Sequence, residues 1–247
     1  MNKKNQQQIR QFFHYFDFAL DMALKIENHS CSNLFKVLIF SGIIDTLAKC
    51  CANPGEDNNQ QFKKFVKHFC EWKECSKVSL PHLIGFVQLT PSPEFEKVRK
   101  FAYQEISKWD KDKTILLNKD PDYKAVFDLW PKDKRQQPIE SLKLENLTHL
   151  HLLWQLRNSV VHEMRILGYG MDNFFDNSPG YHMMKDTDNK DAHNTWELVY
   201  PIKFFKNLIR IGIKNLRKYC EMNNLNPMNR FEFGSYWLQK MNEKIPR

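Results

Sequence analysis

Eight residues near the middle of this chain, Leu156 to Glu163 ("LRNSVVHE"), put a guanidinium, an amide and an imidazole within two helical turns of one another. They sit inside an apolar run, "LTHLHLLWQLRNSVVHEMRIL", that otherwise reads as a buried helix. Arginine is a permanent cation whose flat fork of donors suits a phosphate, and histidine is the side chain that exchanges a proton near neutral pH. With an amide between them, the two can hold a phosphate and move a proton beside it.

Helical geometry says where these groups point. At about 100° per residue, Leu150, Leu153, Val161 and Met164 share one face, and Arg157 falls among them, within roughly 20–40° of each. His151, Asn158 and His162 form a polar stripe about 40° wide, rotated roughly 100° from the first. Asn158 and His162, at i and i+4, are direct neighbours. Arg157 and His162 are five apart and converge only through the length of the arginine side chain, or because a second subunit completes the site. A guanidinium in an apolar seam is costly unless it is paired. The plain alternative is therefore an arginine answered by a carboxylate such as Asp45 in "GIIDTL", with His162 an ordinary boundary histidine. For His151 the plain reading is a partly exposed helix residue.

Arg157-Asn158-x-x-x-His162 resembles the R-x4-6-H signature of the HEPN superfamily, in which a polar residue commonly follows the arginine. The context agrees: an apolar helix carrying an acid ("LIFSGIIDTLAKC") precedes the motif, and "WELVYPIKFF" follows it. As an architecture the resemblance spans residues 5–222, but the motif alone is specific. It implies an all-α, HEPN-like helical bundle with a small β-hairpin insertion before the last long helix. The chain would be a single domain, 1–247, with its core at about 5–222 and a C-terminal tail at 223–247.

The resemblance also implies a metal-independent endoribonuclease in a toxin–antitoxin, phage-defence or RNA-processing role, needing no cofactor. It would act as a homodimer whose two motifs share a cleft. In that reading His162 transfers the proton, Arg157 holds the scissile phosphate and Asn158 orients one of them. Asp45 and His151 are auxiliary, and the second motif of the dimer supplies the missing acid. Members of the superfamily that have lost catalysis serve as binding or assembly modules. The competing expectation is thus a catalytically silent module that binds nucleotide, RNA or a protein partner such as an antitoxin.

The elements that must position these groups follow from periodicity and composition. Gly is scarce, at 8 residues in 247, which leans towards helices. Apolar spacing predicts an amphipathic helix over 6–27 and a second helix in "SCSNLFKVLIFSGIIDTLAKCC", apolar nearly all round and so buried on most sides. Asn53-Pro54-Gly55 is a turn, and "QQFKKFVKHFCEW" a shorter amphipathic helix. The segment from Pro81 to Pro93 reads as broken by its prolines, with a helix opening at Ser92-Pro93. "DKDKTILLNKDPDYK" to "WPKDKRQQP" reads as a surface excursion of short pieces. The motif helix is expected over Leu144–Leu167. "YHMMK" and "TWELVYP" then form a small hairpin, Pro201 opens a long helix to Met222, and "RFEFGSYWLQKMNEKI" adds a short one.

The formal net charge of +8 and pI of about 9.1 favour a polyanionic partner. On the last long helix Lys203, Lys206, Arg210, Lys214 and Arg217 fall within about 80° of one another, opposite Phe205, Leu208, Ile209, Leu216 and Tyr219. No acid interrupts that stretch from Lys203 to Tyr219, so a phosphate-tracking, RNA-binding face is the functional reading and a solvated face the plain one. "MNKKNQQQIRQFF" has no apolar core of a signal peptide, and no run approaches the roughly 18 apolar residues of a membrane span. With six cysteines and no C-x2-C pair, a cytoplasmic protein with reduced thiols and no metal site is expected.

Overall fold

A long apolar helix, Ser32–Cys50, packs against four others. In the structure, a computed structural model that describes residues 3–27, 31–135, 142–168, 177–184 and 195–231, the eight helices are α1 (Lys3–Leu24), α2 (Ser32–Cys50), α3 (Asn58–Phe69), α4 (Leu80–Leu89), α5 (Glu96–Ile106), α6 (Tyr123–Leu129), α7 (His149–Glu163) and α8 (Ile202–Met222). α2 touches α1, α3, α7 and α8. It buries Val37, Phe40, Ile43, Ile44, Leu47 and Ala48, as expected of a helix with almost no polar face. α1 turns Ile9, Phe12, Phe13, Phe16 and Leu20 inward at helical spacing. α3 starts at a capping box in which Asp57 and Gln60 satisfy each other's backbone amides. Where α8 crosses α3 the helices come so close that a β-carbon on Gly212 would lie 2.6 Å from the Phe65 ring.

A second cluster forms around α4, α5 and α6. Phe86, Phe95 and Trp130 meet there with ring centroids 5.1–5.5 Å apart. Two expectations are corrected here. Pro81 does not break the chain: it occupies the first turn of α4, where its missing N–H has no intrahelical partner to lose. The charged stretch after Trp109 is no surface excursion either, because Ile115, Leu117, Asp120, Val126 and Trp130 are all buried.

The hairpin pairs as expected. β2 (Gly180–Met184) and β3 (Thr195–Val199) are antiparallel in a register from Gly180 opposite Val199 to Met184 opposite Thr195. A two-residue strand not foreseen, β1 (Ile115–Leu116), joins β2 on its other edge. The sequence places the polar tract between the strands, and the tail helix beyond position 231, outside the described residues.

The motif helix is shorter than expected. Leu144–Leu147 form a 3-10 turn, and Thr148 makes a β-bridge with Val78 before α7 begins. α7 stops at Glu163 because Met164 takes a left-handed conformation (φ 54°), and Ser159 Oγ then donates to the Arg165 carbonyl at 2.9 Å. Among the described residues no helix is long and apolar enough to cross a membrane.

Candidate functional site

α7 buries His149, Leu152, Leu153, Leu156, Ser159 and Val160. The inward face is thus centred roughly 100° away from Arg157. Leu150 and Val161 are half-buried and Met164 is exposed, so Arg157 stands at the edge of the core face rather than in its middle. There α7 meets α2, and the guanidinium is held on every side. Its Nε donates to Asp45 Oδ2 at 2.9 Å and Oδ1 at 3.2 Å, and its Nη2 donates to Asp45 Oδ2. Nη1 donates to Asn158 Oδ1 at 3.0 Å and to His162 Nε2 at 3.2 Å. The Trp154 ring, packed on Phe62 of α3, lies 5.0 Å from the guanidinium carbon.

The structure therefore brings Arg157, Asn158, His162 and Asp45 together within one chain. The length of the arginine side chain closes the gap between positions five apart, with no second copy needed for that contact. The Arg157 side chain is 11% exposed and that of Asp45 28%, whereas His162 faces solvent. Burial raises the Asp45 carboxyl above its ordinary value, and the hydrogen bond and charge of Arg157 oppose that rise. An arginine can only donate, so the His162 Nε2 in contact with it is an acceptor and the ring proton sits on Nδ1.

His151 is not part of this cluster. It lies eleven residues before His162, roughly 16 Å back along the helix axis. Its Nδ1 is 2.7 Å from Lys63 Nζ of α3, and the Asn146 amide lies against its other edge. Burial, and then the Lys63 charge, push it down to about 4, so it is uncharged at neutral pH. Lys63 does not stand out in the sequence; a lysine on an amphipathic helix carries no local signal of what it faces.

The basic face of α8 is present but not free of acids. Phe205, Leu208, Ile209 and Leu216 are buried opposite it, as expected, while Tyr219 is largely exposed. Arg210 pairs with Asp21 of α1 at 3.0 Å, and Arg217 with Glu221 one turn on at 3.0 Å. The absence of acids between Lys203 and Tyr219 did not reveal Asp21, which α1 supplies, or Glu221 in the last turn of α8. Lys203, Lys206 and Lys214 make no ion pair among the described residues. None of the observed polar contacts joins this face to Arg157 or His162.

Leu150, Leu153, Trp154 and Val161 offer apolar surface for a dimer seam, but part of it is used within the chain, since Leu153 is buried and Trp154 packs on Phe62. Among the described residues no group of three or more His, Cys, Asp or Glu is arranged to hold a metal ion, and no disulfide joins the cysteines. The chain matches no protein-family model, and comparison with curated proteins and with solved structures finds no match.

Proposed function

We propose that this chain is a metal-independent endoribonuclease of HEPN type, working as a homodimer in a toxin–antitoxin, phage-defence or RNA-processing setting. The supporting observation is the 3.2 Å contact between Arg157 Nη1 and His162 Nε2 beside solvent, with the rest of the guanidinium fixed by Asp45. A scissile phosphate competes with His162 for Nη1. Once Nη1 turns to the phosphate, the Nε2 lone pair is freed for the 2′-hydroxyl proton. The 2′-oxygen attacks phosphorus, the 5′-oxygen leaves and takes a proton from the second motif of the dimer, and a 2′,3′-cyclic phosphate with a 5′-hydroxyl remains. Asn158 limits the swing of Nη1.

One observation favours a second reading, a silent module that binds RNA, nucleotide or a protein partner. Asp45 already neutralises most of the guanidinium, and little of Arg157 is accessible. Incubating purified protein with RNA in EDTA, beside an Arg157→Ala/His162→Ala control, separates the two. Cleavage by the parent alone, giving cyclic-phosphate ends, supports the enzyme; no cleavage, or equal cleavage by both proteins, leaves the binding module.

A further inference from the structure

A chain of hydrogen bonds unrelated to Arg157 runs through the interior from Asp120 to His82. The Asp120 side chain is fully buried and accepts from the Leu80 backbone amide at 2.9 Å, from His149 Nε2 at 2.7 Å and from the Tyr181 hydroxyl at 2.7 Å. The Tyr181 oxygen is also 2.8 Å from Ser79 Oγ, and Ser79 Oγ is 2.7 Å from His82 Nδ1. These five side chains come from four separate stretches of sequence.

Counting protons fixes the far end of this chain. A carboxylate only accepts, so the single Tyr181 hydroxyl proton goes to Asp120. The bond between Tyr181 and Ser79 must then use the serine proton. Ser79 has no second proton to give, so the bond to His82 is made by Nδ1–H. His82 Nε2 is consequently bare, and it has no partner among the described residues.

The His82 ring forms part of the wall of a cavity of about 190 Å³ between α7, β3 and the start of α8. Although densely surrounded by protein, His82 remains an exposed residue, and the cavity it lines is partly open to solvent. Leu152, Leu156, Val37, Leu198 and Phe205 line it, together with Glu197 and, on the solvent-exposed side of α7, Gln155. Gly168 also lines it, and its left-handed backbone (φ 72°) abuts Glu197 so closely that a β-carbon there would collide with the carboxylate. Burial, helped by His149, pulls His82 down to about 4, so the ring presents a neutral acceptor rather than a cation.

A bare ring nitrogen at an open cavity is hydrated, and a ligand donor can displace that water and make the hydrogen bond in its place. A cavity of roughly 150 Å³ lined by aliphatic groups holds a benzene ring, so one somewhat larger accommodates a single or compact fused ring. We propose that this cavity binds a small planar ring compound carrying one N–H or O–H donor, which His82 Nε2 accepts while the leucines and Phe205 cover the ring faces. The site lies on the opposite flank of α7 from Arg157 and stands whether or not the chain cleaves RNA.

Indole and benzofuran test this directly, since they share a shape and only indole has the donor. In the full-length protein, indole should bind saturably and shift resonances of Leu156 and Leu198. The preference for indole over benzofuran should fall by about fivefold in His82→Phe, the scale of one net hydrogen bond. In the parent the His82 Nε2 nitrogen resonance should be that of a bare ring nitrogen and should move with indole but not with benzofuran. This arm decides the matter even if His82→Phe does not fold. Failure of both compounds to bind up to their solubility limit, an unchanged preference in the variant, or a protonated Nε2 in the free protein would overturn the proposal.

Discussion

Arg157 caps the nitrogen of His162 that a base would use: Nη1 donates to Nε2 across 3.2 Å, and Asp45 holds the other end of the guanidinium. The imidazole is thereby oriented without being buried. If the ribonuclease reading holds, His162→Ala removes the proton acceptor and lowers the cleavage rate at saturating RNA by about 100-fold or more, the usual scale of general acid–base catalysis. RNA affinity should change little, because a neutral imidazole contributes little to phosphate binding. Rapid-quench cleavage alongside equilibrium binding checks both halves, and a parental cleavage rate in the variant removes His162 from the mechanism.

Asp45 and Arg157 should behave as a coupled pair. Neither is fully shielded, so breaking the pair should cost less than the 3–5 kcal/mol of a fully buried one and more than a surface pair, about 2 kcal/mol. Asp45→Ala leaves a largely hidden cation unanswered, and Arg157→Leu leaves a carboxylate in the same position. The double variant, in which neither charge remains, should lose clearly less stability than the two single losses added together. Urea unfolding of the four proteins measures the coupling; strict additivity would mean that the pair is not what holds α7 to α2 here.

The same pair shows how far sequence could reach. The periodicity of α1, α2 and α8 is local, and so is legible: the stripes of α1 and α8 point inward as expected, Tyr219 excepted, and α2 is buried on most sides. Asp45 was recognisable as the type of partner Arg157 required, although the two are 112 residues apart. What was misjudged is the rotation of α7. By periodicity alone Leu150, Val161 and Met164 are as fit for the core as Leu152, Leu156 and Val160, and only the position of α2 and α3 decides between the two faces. Pro81 was read as a breaker because a proline in a first turn and one in a loop look alike without the preceding backbone. The network of Asp120, His149, Tyr181, Ser79 and His82 has no period at all, being assembled by the packing of four segments.

Acid should destabilise the fold in a defined window. His82 and His151 both have an ordinary value of 6.5 and are brought to about 4, His82 by burial and the neighbouring His149, His151 by burial and Lys63. Between those values the unfolded chain binds more protons than the folded one, so stability rises with pH across the window. This contribution is complete above about pH 6.5 and is lost as the pH falls towards 4. Asp120 opposes the shift of His82, and the raised Asp45 works with the opposite sign at the acid end. Unfolding free energies from pH 4 to 8 should therefore slope upward and then flatten. His82→Gln and His151→Gln should each reduce the slope by up to one proton; a flat profile in the parent would show that these rings are not held neutral.

The last expectation concerns the three lysines on α8 that make no ion pair among the described residues. Lys206→Glu/Lys214→Glu is the informative change, because it reverses two unpaired charges while leaving the Arg210–Asp21 and Arg217–Glu221 pairs in place. Arg210→Glu is less clean. It would set a carboxylate against Asp21, beside an Asp17 that burial already raises, and so disturb the packing of α1 on α8. If this face tracks an RNA backbone, each lost phosphate contact should remove about 0.7 from the slope of log affinity against log salt, so about 1.4 for the pair on single-stranded RNA. Affinity at low salt should fall steeply, cleavage at saturating RNA should stay near the parental rate, and thermal stability should hold, since Lys206 and Lys214 lie opposite the buried side of the helix. Fluorescence anisotropy over a salt series gives the slope directly. An unchanged slope and affinity would assign the lysines to a solvated surface, and RNA would then have to engage the molecule elsewhere.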